Sequence, residues 1–228
     1  MSESLILSLE SSGNYGSVAL SRGRDLLYSA TSFLEHGHSA LMAPLAEAAM
    51  KATEIRPNEL NAIAVGAGPG SYTGLRIGVS LAKGMCFALG IPLISVGTME
   101  NMAFQAFKKY PDTEKVMALL DARRKEVYAA VFDRSLKILL PVQALVLDEI
   151  IENKFFVHES MVLAGDGGRK TMEHFRHPKN WTLSNAIFPN ARSLALLAWM
   201  KFEKGEFENC ANFEPEYIKP VYITGSSQ

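Results

Sequence analysis

The chain has 228 residues, enough for one large or two small domains whose core needs neither metal nor disulfide. Lys plus Arg total 23 against 24 Asp plus Glu. The resulting net charge of −1 excludes a strong general attraction for nucleic acid, which is driven by neutralising phosphates. The N-terminal residues lack the basic start of a signal peptide, and no apolar run approaches the ~18 residues of a membrane span. Cys86 and Cys210 sit in unrelated contexts and read as two free thiols. A cytoplasmic protein is expected.

Short apolar segments at 5–9, 17–21 and 26–30, separated by Gly13-Asn14 and Arg22-Gly23, predict three strands. Residues 39–53 carry the helical period, with Leu41, Leu45, Ala48 and Ala52 on one stripe. Pro44 fits this helix if it falls in the first turn. A strand at 61–65 leads into Gly66-Ala67-Gly68-Pro69-Gly70-Ser71-Tyr72-Thr73-Gly74-Leu75-Arg76-Ile77-Gly78. Its glycines permit backbone angles closed to other residues, and Pro69 stiffens the turn. Ser71 or Thr73 can cap a helix over 72–89 that Gly90 ends. A strand at 93–96 and a helix at 100–108 follow.

The second half repeats this order. Strands are expected at 116–120, 127–132, 136–142 and 161–164, and helices at 148–153, 169–174 and 191–203. Leu7-Ser8-Leu9-Glu10 aligns with Ala118-Leu119-Leu120-Asp121, so a carboxylate ends the first strand of each run. The expected architecture is α/β, with two related subdomains at 1–109 and 110–228, each a mixed sheet flanked by helices. The tail at 214–222 contains Pro215 and Pro220 and should be extended, with 225–228 disordered.

The glycine-rich junction supports more than one use. Unpaired amides and the helix dipole point the same way at such a junction, so Gly68, Gly70, Ser71, Thr73 and Gly74 are candidate nucleotide-binding residues. The second loop, Asp121-Ala122-Arg123-Arg124-Lys125, has no glycine, which argues against a backbone cradle for phosphate between the subdomains. Alternatively, the junction serves close packing. Gly70, Gly74, Gly78 and Ala82 recur every four residues and admit another backbone, from the chain's own sheet or from a second chain. The 72–89 helix is apolar nearly all round, with only Arg76, Ser80 and Lys83 as a polar stripe. The 39–53 helix adds Met42, Ala46, Ala49 and Met50. Candidate partner-binding residues are therefore Leu41, Met42, Leu45, Ala49, Gly74, Leu75, Ile77, Gly78, Leu81, Ala82 and Met85. Ser71 lacks the Gly-x-Ser-x-Gly elbow of a hydrolytic nucleophile and reads better as a helix cap. His36 and His38, two apart in an expected loop, read as solvated rather than as metal ligands, and no catalytic or metal residue is assigned.

Two runs of three strands followed by alternating helices and strands, each first strand ending in an acid, resemble the actin, Hsp70 and sugar-kinase architecture, which is ribonuclease-H-like. Within it, the 68–78 segment, Ser17-Val18-Ala19-Leu20, the run from Asp121 to Tyr128, and Pro220-Val221-Tyr222 resemble the TsaB (YeaZ-like) family, related to TsaD. The resemblance implies a non-catalytic subunit that binds TsaD and supports threonylcarbamoyl transfer to adenosine 37 of tRNA. TsaD would carry the metal and the chemistry, and TsaE would dock where the two meet. The chain alone would form a homodimer through the 39–53 and 72–89 helices, would need no cofactor, and would meet tRNA only through the complex. TsaD carries a His-Met-Glu-Gly-His metal motif where this chain has Thr98-Met99-Glu100-Asn101-Met102, so both ligand positions differ. Glu10 stands where relatives usually carry Asp. An actin-like ATPase or kinase and a peptidase-like protein acting on TsaD remain the alternatives. On the partner reading, Gly78→Leu should break the heterodimer and leave the fold largely intact.

Overall fold

The structure, a computed structural model, describes residues 4–32, 38–150, 159–184 and 187–218. His36, His158, Pro220-Val221-Tyr222 and residues 225–228 lie outside these, as does most of the helix expected at 148–153.

Two five-stranded sheets share one plan. In the first, β1 (Leu5–Glu10), β2 (Gly16–Arg22) and β3 (Asp25–Ser32) form antiparallel hairpins, and β4 (Ala62–Gly66) and β5 (Leu93–Val96) add in parallel, giving the order β3-β2-β1-β4-β5. In the second, β6 (Lys115–Asp121), β7 (Glu126–Asp133) and β8 (Ile138–Val146) pair antiparallel, and β9 (Met161–Ala164) and β10 (Trp181–Ser184) follow in parallel, giving β8-β7-β6-β9-β10. The fold is α/β and actin-like, built from two related halves. The division at 109/110 stands as a proposal drawn from element order.

Strand alternation distributes the core between the two faces of each sheet. Leu7, Leu9, Ile63 and Val65 point to one side of the first sheet, onto α1 (His38–Thr53) and α2 (Tyr72–Leu89). Ile6, Ala62 and Ala64 point to the other, onto Leu194, Leu197 and Ala198 of the last helix (Ala191–Glu203). The same alternation sends Val116, Ala118 and Leu120 onto Met99, Met102, Ala103 and Ala106 of α3 (Thr98–Lys109). Met117 and Leu119 face the opposite side with Met172. There α4 is the short turn Leu147–Ile150, α5 is Gly167–His174, and the last helix is α6. Each half thus lends its final helix to the other's sheet, and α3 and α6 touch in the middle layer. Among the described residues no helix is long and apolar enough to cross a membrane.

The predicted elements differ from the structure in three instructive places. Pro44 lies inside α1 rather than in its first turn. The core face of α1 is Met42, Ala46 and Ala49, whereas Ala48 and Ala52 are exposed. Strand β10 was not expected, because Trp181-Thr182-Leu183-Ser184 carries only two apolar residues, against three in the equally short edge strand β5.

Candidate functional site

The site is built at the C-terminal ends of β1 and β4. Glu10, the last residue of β1, is completely buried. Its Oε1 accepts from the Ser12 amide (2.8 Å) and the Ser12 hydroxyl (2.5 Å), and Asn101 Nδ2 of α3 approaches Oε2 at 3.4 Å. Burial pushes the carboxyl above the usual carboxylate range, against the opposing pull of these donors. Asn101 also donates to the Asn190 carbonyl (3.0 Å), Gln105 donates to Asn101 Oδ1 (2.9 Å), and Asn190 caps α6 by accepting from the Ser193 amide (2.9 Å). A polar network from both middle-layer helices therefore plugs the space beside the first carboxylate.

The glycine junction closes over the same loop. Ser71 caps α2, its hydroxyl accepting from the Gly74 amide (3.2 Å), and Gly90 ends the helix with φ 66°. The Ser71 amide donates to the Ser12 carbonyl (2.7 Å), and the Ser11 hydroxyl donates to the Gly74 carbonyl (2.8 Å). A Cβ at Gly70 would overlap the Ser12 carbonyl, one at Gly74 the Ser11 carbonyl, and one at Gly78 the Ser11 hydroxyl. A Cβ at Gly66 would stand 2.6 Å from the Glu10 carboxylate. The four-residue glycine spacing thus serves contact within the chain.

Of the nucleotide-binding candidates, Gly68 and Gly74 are buried, Gly70 is half-buried, and Ser71 and Thr73 are exposed. Gly68 has φ 106°, and the backbone of Glu216 crosses it: the Glu216 amide donates to the Ala67 carbonyl (2.7 Å). Tyr217 then stacks obliquely on Tyr72 (5.1 Å), with the Arg76 guanidinium on the same Tyr72 ring (4.9 Å). The C-terminal segment therefore lies across the mouth of the junction. Among the described residues no histidine hydrogen-bonds to Ser71.

The docking candidates separate into two sets. Met42, Ala49, Gly74, Leu75, Gly78 and Ala82 are buried within this chain, so they cannot meet a partner directly. The expectation that Gly78→Leu would spare the fold is corrected for the same reason, since Ser11 already fills the space. Leu41, Leu45, Ile77, Leu81 and Met85 are half-buried, and all but Leu41 pack at the margin of the first core. Phe87, an apolar residue of the same helix that was not among the docking candidates, is 89% exposed near the end of α2.

The positions matching the metal motif are packed inside. Thr98 and Met102 are fully buried, and Met102 belongs to the core of the second sheet. Among the described residues no group of three or more His, Cys, Asp or Glu could hold a metal. The two cysteines share one site, contrary to expectation. Cys210 Sγ lies 3.7 Å from the Lys83 carbonyl on α2, and burial together with the neighbouring Cys210 pushes the Cys86 thiol up to about 12.

The second half has its own glycine junction, Gly165-Asp166-Gly167-Gly168, which follows apolar β9 as Gly66–Gly70 follows β4. This repeated pattern was the overlooked signal. A Cβ at Gly165 would overlap the Leu119 carbonyl, and one at Gly167 would meet the Leu120 backbone at 3.0 Å. Asp166 accepts from the Asp121 amide (2.8 Å), and burial raises its carboxyl above the usual range.

A family model described as TsaD, tRNA N6-adenosine threonylcarbamoyltransferase, matches residues 32–224. The chain belongs to the TsaD family. Within it the chain is similar to the TsaB and YeaZ proteins. It is 28% identical over 203 residues to the tRNA threonylcarbamoyladenosine biosynthesis protein TsaB of Buchnera aphidicola subsp. Acyrthosiphon pisum, covering 87% of this chain and 90% of that one. The TsaB of Bacillus subtilis is 31% identical over 150 residues, 64% of each chain. YeaZ from Pseudomonas aeruginosa superposes with a TM-score of 0.80 at 26% identity, over 94% of this chain and 99% of that one. The two TsaB proteins are named for tRNA threonylcarbamoyladenosine biosynthesis.

Proposed function

We propose that the chain is a non-catalytic subunit that binds TsaD and supports threonylcarbamoyl transfer to adenosine 37 of tRNA. The observation that carries this reading is the apolar surface that α1 and α2 leave exposed. There Leu41, Leu45, Ile77, Leu81 and Met85 are incompletely covered and Phe87 stands in solvent, although the inner faces of both helices are fully packed. Apolar side chains left uncovered on two neighbouring helices suit a second pair of helices. The names of its relatives place such a protein in tRNA modification. The proposed role is to hold TsaD in one arrangement by burying that surface, a population shift rather than a chemical step. TsaE would join at the interface, and tRNA would be met through the complex.

The interior of the junction supports a role without catalysis. Ser11 and Ser12 are buried with their carbonyls against Gly70 and Gly74, and Met102 replaces a metal ligand with core packing. Light scattering after size exclusion tests the reading, on the chain alone and mixed with TsaD from the same organism. A homodimer that gives way to a heterodimer is expected, with Phe87→Ser weakening both. A monomer indifferent to TsaD overturns it.

A further inference from the structure

We propose that the hairpin loop at residues 122–125 is an anion site that grips the phosphate backbone of RNA through Arg123 and Arg124. The inference rests on the reading above, in that the RNA is the tRNA brought by the assembled complex.

The loop joins β6 to β7 and displays both arginines to solvent from left-handed backbone, with φ 71° at Arg123 and 46° at Arg124. Non-glycine residues rarely hold this conformation, and here it is fixed from below. Lys170 of α5 donates to Asp121 Oδ1 (2.8 Å) and to the carbonyls of Arg124 (3.0 Å) and Glu126 (2.8 Å). The Arg123 amide donates to Asp121 Oδ1 (2.6 Å), and the Leu147 amide donates to the Lys125 carbonyl (2.9 Å).

Two ion pairs brace the loop, and the carboxylates of Glu126 and Asp166 lie beside it. Asp121 is paired with Lys170, and Asp148 with Lys125 (3.0 Å). Among the described residues neither guanidinium has a carboxylate or hydrogen-bond partner. Two exposed guanidinium groups thus stand together on a chain whose net charge is −1. The corresponding loop of the first half, residues 11–15, carries no charge, so the architecture does not require it.

The source of the phosphate follows from the backbone. The amides of Ala122, Arg123 and Glu126 are bonded within the hairpin, and the loop has no glycine, so it offers little of the backbone cradle that encloses a nucleotide's phosphates. Exposed guanidinium forks on a fixed loop suit phosphates presented along a strand, which they can meet bidentately. Such contacts position an RNA without reading its sequence.

The test assembles the chain with TsaD and titrates a fluorescein-labelled tRNA transcript by anisotropy from about 50 to about 200 mM KCl. The variant is Arg123→Asn with Arg124→Asn, because Asn tolerates left-handed backbone and keeps the loop. Arg123→Lys with Arg124→Lys restores the charge. The double-Asn complex should bind tRNA about 5- to 10-fold more weakly, with a log–log salt slope shallower by about one to two, and the Lys variant should recover most of the slope. An intact complex with unchanged slope overturns the site and leaves the partner reading standing. Loss of ATP binding with tRNA binding untouched also overturns it, by giving the anion to a nucleotide. A wild-type chain that forms no complex with TsaD removes the reading beneath it, and shows this before any arginine is changed.

Discussion

The two halves share one strand order yet treat the loop after their first strand in opposite ways. In the first half the loop is neutral, and its first residues, Ser11 and Ser12, are buried between Glu10 and the glycine junction. In the second it is charged and exposed, and an ammonium group from α5 braces it from beneath. The lesson is that a repeated backbone plan constrains where a loop emerges but not whether it faces the interior or solvent. Glycine at four-residue spacing allows backbone to meet backbone, whereas Lys170 supports a loop that no neighbour covers.

Glycine substitutions should break the comparison most sharply. Gly74→Ala should cost about 3 kcal/mol in urea unfolding, since its Cβ would overlap the Ser11 carbonyl. Next comes the brace. Lys170→Met should cost about 2 kcal/mol, removing a charged donor from three acceptors on the second loop, and should leave the first half's hydrogen-exchange protection unchanged. Gly84→Ala is the internal control for the first. It sits in the same helix with nothing within 4 Å of its Cβ, so it should stabilise by about 1 kcal/mol.

The buried acid gives a pH-dependent distinction. The folded-state pKa of Glu10 is raised, so its protonated form is favoured by folding. Its contribution is most favourable below the unfolded carboxylate pKa and is lost as pH rises toward the folded value. The stability of wild type relative to Glu10→Gln should therefore fall as pH rises from about 4 to about 7, measured by urea midpoints. A difference independent of pH would show that the carboxyl titrates as it does in the unfolded chain. The smallest effect concerns the thiols: Cys86, buried and pushed to about 12, should resist iodoacetamide in the folded protein while Cys210 is labelled first, as mass spectrometry of peptides would show.

Much of this was legible in the sequence where period and punctuation agreed. Tyr72–Leu89 was bounded by a capping hydroxyl and a C-terminal glycine, and its limits match the structure. Leu93–Val96, Met161–Ala164 and Ala191–Glu203 match as well. Beyond the reach of sequence was which apolar residues meet which partner. Met42 and Leu41 are neighbours of similar character, yet one is buried and the other half-covered, and only the angle of α1 on the sheet decides this. The glycine stripe carried the same ambiguity: spacing announces close approach without saying to what. The meeting of Cys86 with Cys210 depends on a return of the chain across 124 residues, which no local pattern records.

The exchange of α3 and α6 has a consequence for the order in which the molecule can be completed. The first sheet has its strands by residue 96, but the helix that covers its second face ends at residue 203. During synthesis the N-terminal half must therefore wait, with Ile6, Ala62 and Ala64 uncovered, until nearly the whole chain has emerged. Helix α3, made early, has its own binding surface only once β6, β7 and β9 exist. Neither half can be cut free as an independent unit without stripping a helix from the other, so heat or denaturant should take both sheets apart in one step.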